Sequence, residues 1–203
     1  MGPVARSEKR EAGHSGGRSR APRAERPSKI PRRAVEDGGA THAPTRWPDV
    51  REGPITLHLE SPAATERLAA RLAAALRPGD ALLLEGPLGA GKSALARAVL
   101  RRLAGDPVLE VPSPSFTLVQ SYDLPDGAAA HHYDLYRLSG PADLAELGWD
   151  EAREGIVLVE WPDRLGALRP ADAITLAMAP GPAEEERMAT LAGPPERLRG
   201  LPA

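Results

Sequence analysis

An α/β domain with a mixed central sheet flanked by helices is the fold this sequence predicts, and three observations carry it. The apolar run Ala81-Leu82-Leu83-Leu84 passes through a glycine-rich turn into a segment where Leu95, Ala96, Val99, Leu100 and Leu103 recur at helical spacing. The run Ile156-Val157-Leu158-Val159 is the most strongly β-branched in the chain, as suits a strand covered on both faces. Between the two, Leu124-Pro125-Asp126-Gly127 is turn chemistry joining two short extended segments, which adds an antiparallel hairpin to the alternation of strands and helices.

Residues 1–50 carry 11 Lys plus Arg against 6 Asp plus Glu, with almost no large apolar side chain before Trp47. Such a segment buries too little apolar surface to offset the entropy of ordering, so a disordered basic tail is expected over 1–52. Residues 51–203 reverse the balance, 15 against 22, and are long enough for one domain, expected over 53–193. Ile55-Thr56-Leu57-His58-Leu59 alternates as a strand does. Ser61-Pro62 supplies an N-cap and a first-turn proline for an Ala/Leu helix over 62–76, which Arg77-Pro78-Gly79-Asp80 stops. The helix after the glycine-rich turn ends near Gly105, and Pro112 and Pro114 break regularity before strands at 116–122 and through His131-His132-Tyr133. A short helix over 139–147 is closed by Gly148. Two strands, 173–179 and 187–192, flank a proline- and glutamate-rich turn, and 194–203 reads as a frayed end.

The turn itself carries the chemistry. Gly86-Pro87-Leu88-Gly89-Ala90-Gly91-Lys92-Ser93 is G-x-x-x-x-G-K-S, the phosphate-binding loop of P-loop NTPases, set between a strand and a helix as that motif requires. With 20 Gly, 3 Lys and 17 Ser plus Thr in 203 residues, chance supplies roughly 0.002 such matches. Lys92 is one of only 3 lysines against 23 arginines, and the other two, Lys9 and Lys29, lie in the basic tail. A compact ammonium stands where local usage favours guanidinium. In such a loop, backbone N–H groups turn inward around the phosphates and the helix N-terminus favours the anion. Gly86, Leu88, Gly89, Ala90, Gly91, Lys92, Ser93 and Ala94 are therefore the expected nucleotide contacts. Lys92 would reach the β- and γ-phosphates, and the Ser93 hydroxyl would sit on Mg²⁺.

Magnesium takes oxygen ligands, and a carboxylate at the C-terminal end of a neighbouring strand normally completes its shell. Glu160 and Asp134 both hold that position; either acid could ligate metal or position water, and a strand-end cap is the plainer role for each. Ser113-Pro114-Ser115-Phe116-Thr117 lies where such proteins keep a γ-phosphate-sensing segment, or is simply a proline-stiffened loop. His131 and His132 lack a third ligand at useful spacing and read as a packing or solvent-facing pair. Trp161 could stack on a base, though packing is the commoner role, and the arginines at 97, 101 and 102 read as a solvated helix face. With 0 cysteines there is no disulfide or thiolate chemistry, and nothing approaches the ~18 apolar residues of a membrane span, so a soluble cytoplasmic protein is expected.

Taken in order, Gly86 to Ser93, Ser113-Pro114-Ser115-Phe116-Thr117-Leu118-Val119, His132-Tyr133-Asp134-Leu135-Tyr136-Arg137-Leu138, Glu146-Leu147-Gly148 and Val159-Glu160-Trp161-Pro162-Asp163-Arg164 closely resemble the TsaE (YjeE) family over roughly 55–192. The resemblance implies a small ATPase that binds ATP and Mg²⁺ and acts with TsaD and TsaB in threonylcarbamoyl modification of adenosine beside the anticodon of tRNAs reading codons that begin with A. It touches tRNA through that complex, and the transfer chemistry belongs to TsaD. It also implies that Lys92, Asp134 and Glu160 are functionally important, with Ser93, Asp134 and Glu160 toward the metal. Ser115 stands where threonine is more usual, and Pro87 removes one N–H from the loop at a permissive position. A small-molecule P-loop kinase is the alternative, but the hairpin leaves little chain for an acceptor pocket and lid. A nucleotide-gated scaffold without fast hydrolysis is a third.

Overall fold

A computed structural model describes residues 54–198, so the expected tail over 1–52 lies outside the described residues. Seven strands, β1 (Ile55–Leu59), β2 (Ala81–Glu85), β3 (Val119–Asp123), β4 (Ala129–Asp134), β5 (Ile156–Glu160), β6 (Ile174–Pro180) and β7 (Arg187–Ala192), form one sheet in the order β1-β7-β6-β2-β5-β4-β3. The inner four, β6-β2-β5-β4, run parallel, and each edge is finished by antiparallel pairs. Burial follows position: β2 and β5 are buried at every residue, hence their uninterrupted apolar runs, whereas the edge strand β1 alternates. The mixed α/β sheet expected from the sequence is what forms.

Strand alternation divides the interior into two cores. Leu82, Leu84, Leu158 and Leu176 face α1 (Pro62–Ala75) and α2 (Lys92–Leu103), and Leu83, Val157 and Val159 face Tyr133, Leu144, Trp149 and Leu165 on the other side. Ser61 caps α1 by accepting the Ala64 N–H at 3.3 Å. On the second face the Tyr133 hydroxyl donates to the Leu147 carbonyl, and burial with the Glu151 charge pushes that phenol up to about 12.

Three local expectations differ from the structure. The segment 116–122 becomes strand only at Val119: Pro112 and Pro114 donate no N–H, Leu118 turns to φ 65 and its N–H reaches back to the Pro114 carbonyl. The helix expected over 139–147 is a 3-10 helix, Pro141–Leu147, still closed by left-handed Gly148, and followed by the α-helical turn α3 (Trp149–Ala152). A second 3-10 segment, Pro162–Leu168, follows β5. The stretch read as frayed contains α4 (Pro195–Leu198), where Leu198 enters the α1/α2 core and Arg197 pairs with Asp80. No helix among the described residues is long and apolar enough to cross a membrane.

Candidate functional site

The glycine-rich loop leaves β2 at the centre of the sheet and enters α2. Gly86, Gly89 and Gly91 have φ of 132, 78 and 100°, and a Cβ on Gly86 would collide with the Met178 carbonyl at the end of β6. Strand β6 thus presses the loop against the sheet, and glycine is what lets it. Leu88, Gly89, Gly91, Lys92, Ser93 and Ala94 line a cavity of about 360 Å³, while Ala90 turns its methyl into the core and its N–H bonds the Pro87 carbonyl. Gly91 and Ala94 also border a larger groove of about 590 Å³ beside Thr65, Arg97, Met178 and Arg187.

Lys92, 4% exposed, folds back over the loop it follows: its Nζ donates to the carbonyls of Gly86 at 2.8 Å and Pro87 at 2.9 Å. It also sits 4.1 Å from the centre of the Trp161 ring. Burial pulls this ammonium below the usual lysine range, and the charges of Glu160 and Asp134 oppose that shift. Trp161 holds a left-handed backbone, φ 61 and ψ 51°, and packs at 4.9 Å against Tyr136.

Both strand-end acids reach the same cavity, because Glu160 pairs in register with Leu84 on β2 and with Asp134 on β4. One Glu160 oxygen accepts the Ser93 hydroxyl at 2.8 Å. The other lies 2.9 Å from His132 Nε2. Asp134 accepts the Ser115 hydroxyl at 2.8 Å, a longer bond from Ser113 at 3.4 Å, and the Tyr136 N–H at 3.1 Å. Ser115 thus lies in the site, whereas Thr117 is exposed and does not line the cavity. His131 points the other way and bonds Ser121 on β3.

Two sequence readings change. His132 is not a packing histidine but a 1%-exposed partner of Glu160. Its signal was present: it precedes Asp134 by two on one strand, so both side chains fall on one face. Arg97 and Arg101 are not free solvated cations; their Nε atoms donate to the carbonyls of Val111 and Leu109 and pin the segment after α2.

A loop with left-handed glycines, a desolvated lysine and hard oxygen donors from Ser93, Asp134 and Glu160 fits a triphosphate with Mg²⁺ in the donor chemistry each requires. The fold and its glycine-rich loop define a P-loop NTPase-like domain. The family model for threonylcarbamoyl adenosine biosynthesis protein TsaE matches residues 59–189, and the chain belongs to the TsaE family. It is 40% identical over 108 residues to the tRNA threonylcarbamoyladenosine biosynthesis protein TsaE of Rickettsia felis, covering 53% of this chain and 62% of that protein. The protein of the same name from Bacillus subtilis is 33% identical over 121 residues, covering 58% and 73%. Among solved structures, Bacillus subtilis YdiB superposes with a TM-score of 0.58 at 28% identity over 73% of this chain and 91% of that one. The match thus spans about three fifths of the length of the Rickettsia felis relative.

Proposed function

We propose that this domain binds ATP with Mg²⁺ and hydrolyses it, slowly alone and faster with partners. In this reading it serves threonylcarbamoyl modification of tRNA adenosine together with TsaD and TsaB and meets tRNA through that complex. The observation that supports it is the meeting of Lys92, Ser93, Asp134 and Glu160 in one cavity at the C-terminal end of the parallel strands. The pathway and partners rest on family membership.

Lys92 exchanges its two carbonyl acceptors for β- and γ-phosphate oxygens, and its partly dry setting strengthens that attraction. Ser93 and Glu160, already bonded to each other, form the metal side. Asp134, tied to Ser115, faces the segment that senses the terminal phosphate and orients the attacking water. Mg²⁺, which Ser93 and Glu160 would hold, would when bound supply neutralisation of the charge developing on the phosphates.

The test is ATP binding and phosphate release by the wild-type chain and by Lys92→Ala, Glu160→Ala and Asp134→Ala, each with and without TsaB and TsaD. Binding lost in the first and turnover lost in the other two is the expected result. Turnover unchanged in both acid variants would remove them from the mechanism. Label passing from ATP to a metabolite would replace this reading with a kinase. Assembly that needs ATP without any stimulated hydrolysis would replace it with a scaffold.

A further inference from the structure

One buried polar side chain behind the cavity wall has no task in the proposed function. His132 is 1% exposed, its Nε2 lies 2.9 Å from a Glu160 oxygen, and its Nδ1 is buried with no hydrogen-bond partner among the described residues. A buried polar atom left over in this way calls for an explanation. The tautomer supplies it. A proton on Nε2 makes a donor to the carboxylate and leaves Nδ1 as a bare lone pair. A proton on Nδ1 would set two acceptors against each other at 2.9 Å and strand a buried donor, which is the rarer and costlier defect.

We infer that His132 is a positioning residue for Glu160, donating Nε2–H to one carboxylate oxygen so that the other is presented to Ser93 and the metal side of the cavity. The geometry is specific to the sheet register. His132 pairs with Leu158 and Asp134 with Glu160, so the imidazole stands one pleat behind the acids on the same face and reaches forward to Glu160. Without that bond, Glu160 keeps only the Ser93 hydroxyl among the side-chain partners it has in the described residues and is free to rotate about its χ angles. Outer partners that fix a metal-binding side chain are commonly worth about 10–100-fold in metal affinity or activity. The inference rests on the reading of Glu160 as the metal-side acid.

Two measurements test it. Nitrogen NMR of the imidazole in the ligand-free protein reads the tautomer directly: Nε2 carrying the proton is expected, and Nε2 found without one overturns the proposal. The second compares His132→Leu, which removes the donor, with His132→Gln, which keeps an amide N–H. Tryptophan-fluorescence titration with ATP at varied Mg²⁺ should show the Mg²⁺ needed for half-maximal binding rising about 10–100-fold in His132→Leu. Binding of ATP without Mg²⁺ should stay as in wild type, kcat should fall more than KM rises, and His132→Gln should recover most of the loss. A folded His132→Leu with wild-type Mg²⁺ requirement and kcat overturns it. Should the leucine variant not fold, the tautomer and the glutamine variant still decide. A wild-type chain that binds no ATP would sink the nucleotide reading, while the ligand-free imidazole would still report on His132.

Discussion

Strands β4 and β5 run side by side and each ends on a buried acid, yet the two acids answer to different parts of the chain. Glu160 is held by Ser93 at the start of α2 and by His132 on an interior strand of the sheet, both on regular elements. Asp134 is held by Ser113 and Ser115, on a proline-broken segment that becomes strand only at Val119, beside the 85%-exposed Phe116. A group fixed by helix and sheet keeps its place when a ligand enters. One fixed by hydroxyls on an irregular loop moves with that loop. The pair is thus suited to two duties, a stationary one on the Glu160 side and a responsive one on the Asp134 side.

Lys92 serves both sides of this comparison, so its removal should have the largest effect. Lys92→Ala deletes the buried cation that would meet the β- and γ-phosphates, and losing one partner of a desolvated charge pair in a complex costs about 2–5 kcal/mol of binding. ATP affinity should drop by at least about 30-fold, read by calorimetry. A variant that binds ATP normally would break the comparison at its root.

The next test separates the acids. Glu160→Gln should lower kcat by about 10²–10³-fold and raise the Mg²⁺ requirement, as expected for a fixed group acting on developing charge. Asp134→Asn should lower kcat by about 10–100-fold with an unchanged Mg²⁺ requirement. Swapped Mg²⁺ behaviour, measured by metal titration of turnover, would reverse the assignment. Ser115→Ala should act in the same sense as Asp134→Asn but only by a few-fold, because Ser113 and the Tyr136 N–H still hold the carboxylate.

The difference between the two acids also marks what the sequence discloses. The phosphate loop is legible because its glycines, lysine and serine are contiguous and their spacing is the chemistry. Strands β2 and β5 are legible because burial on both faces leaves an unbroken apolar run. The Glu160–His132 bond joins residues 28 apart through the β4–β5 register, which no local pattern encodes. The Ser115–Asp134 bond likewise joins residues 19 apart, across a turn in which Leu118 is left-handed and its carbonyl accepts the Asp134 N–H. Segments 141–147 and 162–168 carry an N-terminal proline and apolar residues three apart, which serve α and 3-10 turns alike. Leu198 shows the same limit at the C-terminus, where a single apolar side chain finds a place in the core that its polar neighbours do not announce.

The smallest effect is expected on the opposite face of β4, where His131 offers a control for its neighbour. His131 bonds the Ser121 hydroxyl and touches neither acid, and burial lowers its proton affinity from the ordinary imidazole value of 6.5. Above that value both the folded and unfolded states carry it neutral, so it contributes no slope. As pH falls through 6.5 the unfolded chain takes up the proton first, and stability is lost until the folded imidazole also titrates. His131→Gln should remove that acid-side loss, narrowing the drop in Tm below 6.5 by about 1–2 °C, since partial exposure screens the effect. ATP turnover should be unchanged at every pH. If His131→Gln instead altered turnover as His132→Leu does, the two faces of β4 would not be separate in function, and the contrast between a fixed acid and a responsive one would lose its structural basis.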